Sequence, residues 1–453
     1  MDDATNVALE LRKESTPPPD PIRLHAETPL PPPELAPENE PAPTAEQISK
    51  NELRLMEESK SPPPPDRVLE APPLIKPSLV APVQLNGKML LEFLDAMSSV
   101  AAERATVPIA RNVLMTYTEG ELRLEATDSH VWAIAKMKAQ GGRDGFECVL
   151  PLKRARNVVR RMLASHPLVS LGVDAENIHI GHYSFPHGGN IRDYPQRPTL
   201  LTEELKAILP THYLDCILDR LVGLIDADHE RSPLRGVHLD FEDGVAVATD
   251  GHRLHMVGLA ELEIITRRRY RRRPSLTLTA EFFEFLRSVA DRQWLPLIVN
   301  EKMVTAAGED FGVLAKPIEG TYADWRKVIP SYDGYWVVEK EGLIEAIKDA
   351  QPLSNESLAL AVDGIGDQLI LTARGPDREV YRRGLQARRK GGPPALRFAV
   401  NPEYLLYAVE SADGGLVRLG FDDQEPEQSP LTVRGERDDY LAVVMPRRPG
   451  GPD

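Results

Sequence analysis

Two periodicities alternate along residues 83–448, and the order in which they follow one another occurs three times. Apolar residues at helical spacing open each third of this body, over residues 89–100, 213–225 and 343–350. In the second stretch Leu214, Ile217, Leu218, Leu221 and Ile225 fall on one face, as in a surface helix packed on a core. After a loop come two runs of period two joined by an acidic or glycine turn: 112–118 with 121–127, 237–241 with 245–250, and 358–363 with 368–374. Leu122, Leu124 and Ala126 alternate with Glu121, Arg123 and Glu125, the mark of a half-buried strand. A second helix is predicted in each third, at 153–165, 280–290 and 402–412. Further strands close each unit: 169–172 with 178–182, 296–299 with 304–307, and 417–421 with 431–434 and 440–445. The body therefore reads as three α+β units of similar length, 83–198, 199–333 and 334–448, followed by an extension at 449–453.

One corner repeats with its residues almost unchanged. Ala126-Thr127-Asp128-Ser129-His130 in the first unit matches Ala248-Thr249-Asp250-Gly251-His252 in the second, and the third has decayed to Thr372-Ala373-Arg374-Gly375. Glycine after aspartate is a turn signal, because glycine takes positive φ without steric cost. Asp250 and His252 could be a structural corner or a carboxylate–imidazole pair placed for chemistry. No nucleophile, metal-ligand cluster or phosphate-cradling glycine loop accompanies them, so a carboxylate bonding nearby amides is the default, and a nucleic-acid enzyme using the pair is the weaker alternative.

Composition separates the first 82 residues from the rest. They hold 19 of the 41 prolines, in runs such as Pro17-Pro18-Pro19, with 15 acidic and 8 basic residues. Such a segment cannot bury enough apolar surface to offset its ordering entropy, which predicts a disordered, partly polyproline-like tail. The net charge of −15 argues against a simple basic-patch DNA binder. Cys148 and Cys216 lack ligand or disulfide spacing and read as reduced thiols. Neither a signal sequence nor a membrane span is seen, so a cytoplasmic protein without membrane contact is expected.

Five motifs, in order, carry a resemblance: Thr106-Val107-Pro108-Ile109, Val247 to Leu254, Tyr322-Ala323-Asp324-Trp325-Arg326-Lys327-Val328-Ile329-Pro330, Leu353-Ser354-Asn355-Glu356, and Tyr440 to Pro446. With the threefold repeat, they resemble the β sliding clamp, the processivity subunit of bacterial DNA polymerase III. The resemblance implies three clamp domains, each of two helices packed on antiparallel sheets, and a head-to-tail homodimer closed into a ring around duplex DNA. It implies a non-catalytic protein without cofactor or metal, which tethers the replicative polymerase and meets the polymerase III catalytic subunit and the clamp loader. A ring holds DNA by topology, so few salt-screened phosphate contacts are needed.

The resemblance also assigns residues. A partner-peptide cleft between the second and third units is expected to use Arg231, Leu234, Thr249, Gly251, His252, Arg253 and Leu254. Lys327, Val328, Asn401, Tyr404 and Ser429 are assigned to it as well, with Val443, Val444, Met445, Pro446 and Arg447. DNA-lining positions are Arg104, Lys153, Arg156, Arg160, Arg161 and Arg287, and the subunit contact is expected at Leu353, Tyr183 and Phe185. The chain departs from the family at Ala323, where proline is usual, and in the charged residues after Pro446. The helices of the second and third units are poor in basic residues, and the run Arg267-Arg268-Arg269-Tyr270-Arg271-Arg272-Arg273 is not a family feature. Those departures, with the tail, motivate the alternative of a divergent clamp paralogue acting as a scaffold in repair or a mobile element.

Overall fold

The computed structural model of the chain describes residues 82–447, except 102–106, 143–144, 199–204, 227, 266–272, 291–292, 301, 354–358, 376, 393–394 and 423. The proline-rich tail, the segment 448–453, Arg104, Arg292, Ser354-Asn355-Glu356 and all of the arginine run but Arg273 lie outside the described residues.

Among the described residues six α-helices come in pairs, each pair between strands of its own unit. They are α1 (Gly87–Val100), α2 (Leu152–Leu163), α3 (His212–Arg220), α4 (Ala280–Val289), α5 (Lys340–Ala350) and α6 (Pro402–Ser411). In α1, Leu90, Phe93, Leu94 and Met97 are buried at spacings of three and four, which puts them on one stripe. Side-chain caps start several helices. The Asn86 carboxamide accepts from Met89 N, that of Asn401 accepts from Glu403 N, and the Glu339 carboxylate accepts from Glu341 N. The expected helix over 213–225 stops at Arg220 and continues as a 3₁₀ turn, Val222–Leu224. Gly223 explains the break: a side chain there would enter the ring of Tyr407, so the backbone passes close to α6. Leu221 and Leu224 are still buried, so the apolar pattern was satisfied by a different backbone.

The strands among the described residues form three antiparallel sheets, and two of these run across unit boundaries. The nine-stranded sheet joins the first two units where Val131–Lys138 pairs with Phe311–Ala315, from Val131 opposite Ala315 to Ala135 opposite Phe311. The twelve-stranded sheet joins the second and third where Arg253–Gly258 pairs with Tyr440–Val444, from Arg253 opposite Val444 to Val257 opposite Tyr440. The third sheet, of five strands, lies within the first unit and ends at Tyr183–Pro186. Val380–Lys390 was not foreseen. Arg382, Arg383, Arg388, Arg389 and Lys390 mask its period, and it bridges two groups of strands, pairing with Gln368–Arg374 along its first half and with Gly334–Glu339 at its end.

The apolar faces of helices and sheets enclose a continuous core in which Trp336, Tyr117 and Tyr440 are among the largest fully buried side chains. Cys148 is buried in it, Cys216 is half-buried, and both are free thiols. Gly364 lies on the strand Leu360–Ile365 directly beneath the indole of Trp336, where an added Cβ would overlap the ring. Substituting Gly364→Ala is expected to lower unfolding free energy by about 1–3 kcal/mol through overpacking, read as a lower urea midpoint.

Candidate functional site

The repeated corner sits at the start of the strand that makes each seam. At the second seam Asp250 Oδ1 accepts from His252 N and Arg253 N at 2.9 Å each, and Oδ2 accepts from Arg253 Nε at 3.0 Å. Thr249 Oγ1 accepts from Gly251 N (3.1 Å) and donates to Arg253 O (2.7 Å). Gly251 has φ +88° with open space around it, so the turn needs glycine for backbone reasons alone. The first seam repeats the scheme: Asp128 Oδ1 accepts from His130 N and Val131 N, both at 2.7 Å, around Ser129 at φ +81°. The carboxylates serve backbone amides at both corners. No direct contact between the Asp250 carboxylate and the His252 ring is present, and among the described residues no three metal-binding side chains cluster.

Around this corner the structure gathers three distant segments. Met445 N donates to His252 O (3.0 Å), and Arg447 N donates to Ala399 O (2.7 Å), which lays Met445-Pro446-Arg447 between the corner and the start of α6. Arg253 turns toward α6, its guanidinium 4.5 Å from the Tyr404 ring centroid and 5.2 Å from that of Tyr407. His229 accepts from Arg231 N and lies 3.3 Å from Asp250 O, tying the Arg231 loop to the corner. The third segment, Tyr322 to Ile329, packs through Trp325 onto Leu254 and Val443.

The expected cleft residues therefore separate by exposure. Arg231, Gly251, His252, Lys327, Val328 and Met445 are exposed, with Val328 and Met445 each 40% accessible and unusual among large apolar side chains in this. Thr249, Arg253, Tyr404, Ser429, Pro446 and Arg447 are half-buried. Leu234, Leu254, Val443 and Val444 are buried. Val443 and Val444 point to opposite faces of their strand, one into the Trp325 cluster and the other into the main core. Asn401 is also buried, as the cap of α6. Tyr407 and His229 were missed. Only their neighbours in space, Arg253 and Asp250, reveal them.

The basic side chains expected to face DNA are partly engaged. Asp95 on α1 binds Arg156 Nε at 2.7 Å and Arg160 Nη2 at 3.0 Å, both from α2. Asp215 and Asp219 on α3 hold Arg287 of α4 at 2.7 and 3.7 Å. Lys153, Arg154, Arg160 and Arg161 are exposed on α2. Helix α2 carries five basic and no acidic side chains, whereas the other five helices together carry five basic and eleven acidic ones.

The residues expected at the subunit contact differ in exposure. Tyr183 stands 42% exposed on the outermost strand of its sheet, but Phe185 is 7% exposed and belongs to the core of the first unit. Leu353 packs partly buried against the core, beside Gly375.

Residues 83–196 match the family model described as DNA polymerase III beta subunit, N-terminal domain. The beta sliding clamp of Pseudomonas aeruginosa is 24% identical over 375 residues, covering 80% of this chain and 99% of that protein; that of Rickettsia felis is 23% identical over 386, covering 80% and 98%. The crystal structure of the Thermotoga maritima DNA polymerase III beta subunit superposes with a TM-score of 0.73 at 18% identity, covering 82% of this chain and 100% of that one. The Pseudomonas aeruginosa subunit gives 0.71 at 22%, covering 81% and 100%. The fold is that of the beta subunits, and the resemblance to them is borne out.

Burial holds two histidines of the second unit neutral. His255 is enclosed between Arg220 O and the Tyr440 hydroxyl, and its pKa is pushed down to about 3; His238, bonded to Thr277, is pushed down to about 4. Between those values and the ordinary 6.5, the unfolded chain binds protons that the folded one refuses. Stability is thus full above about pH 6.5 and falls as pH drops toward 4, by up to about 1.4 kcal/mol per pH unit for each histidine. Urea midpoints across pH 4–7 should show this acid limb, and His238→Asn should make it shallower.

Proposed function

We propose that this chain is a DNA sliding clamp: two copies close head to tail around duplex DNA and tether a replicative polymerase, without catalysing a reaction. One observation carries the reading. Each unit presents a strand edge after its corner and another at its end, and the two seams within the chain join an edge of one kind to an edge of the other. Counting through the repeat, two edges remain. Tyr183–Pro186 corresponds to Phe311–Ala315 and Tyr440–Val444, and the first half of Val380–Lys390 corresponds to the strands that follow the corners. Among the described residues that first half has a ladder partner on one side only. Val380 is 52% exposed and Tyr183 42%, an apolar pair at two open edges. Unpaired edges of this length invite pairing, and a heterologous contact that closes by rotation gives a ring.

The charge pattern supports encirclement over tight binding. With basic charge concentrated on α2, phosphate contacts would be few and salt-sensitive, and retention would depend on closure. The exposed Val328 and Met445 at the second seam, flanked by Arg253, Arg447 and Lys327, suit short apolar peptide anchors from the polymerase catalytic subunit and the clamp loader.

Retention tests the reading. After loading on a nicked circular plasmid, the protein should co-elute with the circle and be released when the plasmid is linearised. Tyr183→Lys with Val380→Lys should raise the dimer dissociation constant at least tenfold, about 1.4 kcal/mol, in sedimentation velocity. The same change should abolish retention. A wild-type chain that stays monomeric, or stays equally on linear DNA, refutes the proposal. Separately, Val328→Asp with Met445→Asp should leave the dimer intact and remove capture of the polymerase catalytic subunit in a pull-down.

A further inference from the structure

The two seams within the chain are built alike, down to the strand that leaves them. Where Met445 N donates to His252 O, Lys316 N donates to His130 O at 2.8 Å. Where Arg447 N donates to Ala399 O, Ile318 N donates to Thr277 O at 2.8 Å. Lys316-Pro317-Ile318 therefore holds, at the first seam, the place that Met445-Pro446-Arg447 holds at the second. The surroundings differ greatly. At the first seam the chain continues over the sheet as Glu319 to Arg326, and between this segment, the His130 corner and Lys302 lies a cleft of about 1350 Å³.

We propose that this cleft is a second docking site, which receives an acidic, extended segment of a partner protein. Lysine stands where the other seam has methionine, and Lys302 and Arg273 add exposed cations to the lining. Arg326 does not count toward this charge, since Asp240 and Asp243 hold it. In a chain of net charge −15, this lining carries one more cation than carboxylate, so an anionic side chain meets less repulsion here than the chain's net charge implies. Apolar purchase is also present. The half-buried Tyr322 ring is stacked on His238 at 4.3 Å between centroids, and the half-buried Ile318 lines the same space, with Leu276 and Met303 buried behind them. The volume exceeds that of a pocket for a drug-sized molecule, roughly 300–1,000 Å³, and suits several residues of polypeptide. Glu319, Asp324 and Asp240 also line the cleft and would oppose a continuous polyanion, which favours a peptide of mixed acidic and apolar residues over nucleic acid.

The site follows from the repeat of the seam geometry and borrows from the clamp reading only the idea that a seam receives peptides. The probe is a fluorescein-labelled decapeptide alternating glutamate and leucine, titrated by anisotropy into the full chain at low salt. Saturable binding is expected, at least tenfold weaker in Lys302→Glu with Lys316→Glu and unchanged in Met445→Asp. Both lysines are exposed, so the fold should persist; Lys302→Gln with Lys316→Gln provides a milder variant and should show an intermediate loss. Absence of saturable binding overturns the proposal. Binding that survives both lysine changes but is lost in Met445→Asp also overturns it, while leaving the second-seam reading intact. If a labelled dT decamer binds with the same lysine dependence and the peptide does not, the cleft is a nucleic-acid site and the proposal fails. Retention of the Lys302→Glu, Lys316→Glu variant on circular DNA, measured alongside, separates a failure of this cleft from a failure of the ring.

Discussion

Backbone pairing across unit boundaries is the constraint on which the rest depends. A strand edge left open carries donors and acceptors that must find partners, and this chain satisfies two such edges by joining successive units through five-residue antiparallel ladders. The corners with Asp128 and Asp250 set where those ladders begin, because each carboxylate fixes the amides of the first residues of the seam strand. The helices are then carried as pairs by the sheets, with α1 and α4 in contact across the first seam and α3 and α6 across the second.

How much of this was legible in the sequence depends on how local each signal is. The six helices and strands such as Glu121–Thr127 and Val245–Thr249 stand out, because alternation and helical spacing are properties of short windows. Val380–Lys390 does not, because five cations on an eleven-residue strand hide its period. The 3₁₀ turn after α3 depends on Tyr407, far along the chain, which no window at Gly223 contains. Among the expected site residues, motif resemblance named segments that lie together in the fold without distinguishing core from surface. Leu254 and Met445 come from equally well-marked motifs, but one is buried and the other open. That distinction requires the packing of Trp325 over the seam, a contact between segments about seventy residues apart in sequence.

Electrostatics divides the molecule unevenly. Ion pairs between helices, Asp95 with Arg156 and Arg160, Asp215 with Arg287, Lys348 with Glu410, join the two helices of every unit. Each is exposed and worth little alone, about 0–1 kcal/mol. Asp95 offsets part of the charge of α2, and the other pairs offset the fewer cations of their own helices, so among the described helices the basic excess of α2 comes from its composition.

The ladders have one more consequence. Main-chain amides and carbonyls are common to nearly all residues, so a joint made from them is largely indifferent to the side chains it carries. A chain can then change most of its amino acids and keep its architecture, which accords with a TM-score of 0.73 at 18% identity. Freed from holding the assembly together, outward-facing positions next to each joint can drift independently, one toward methionine and grease, its counterpart toward lysine and charge.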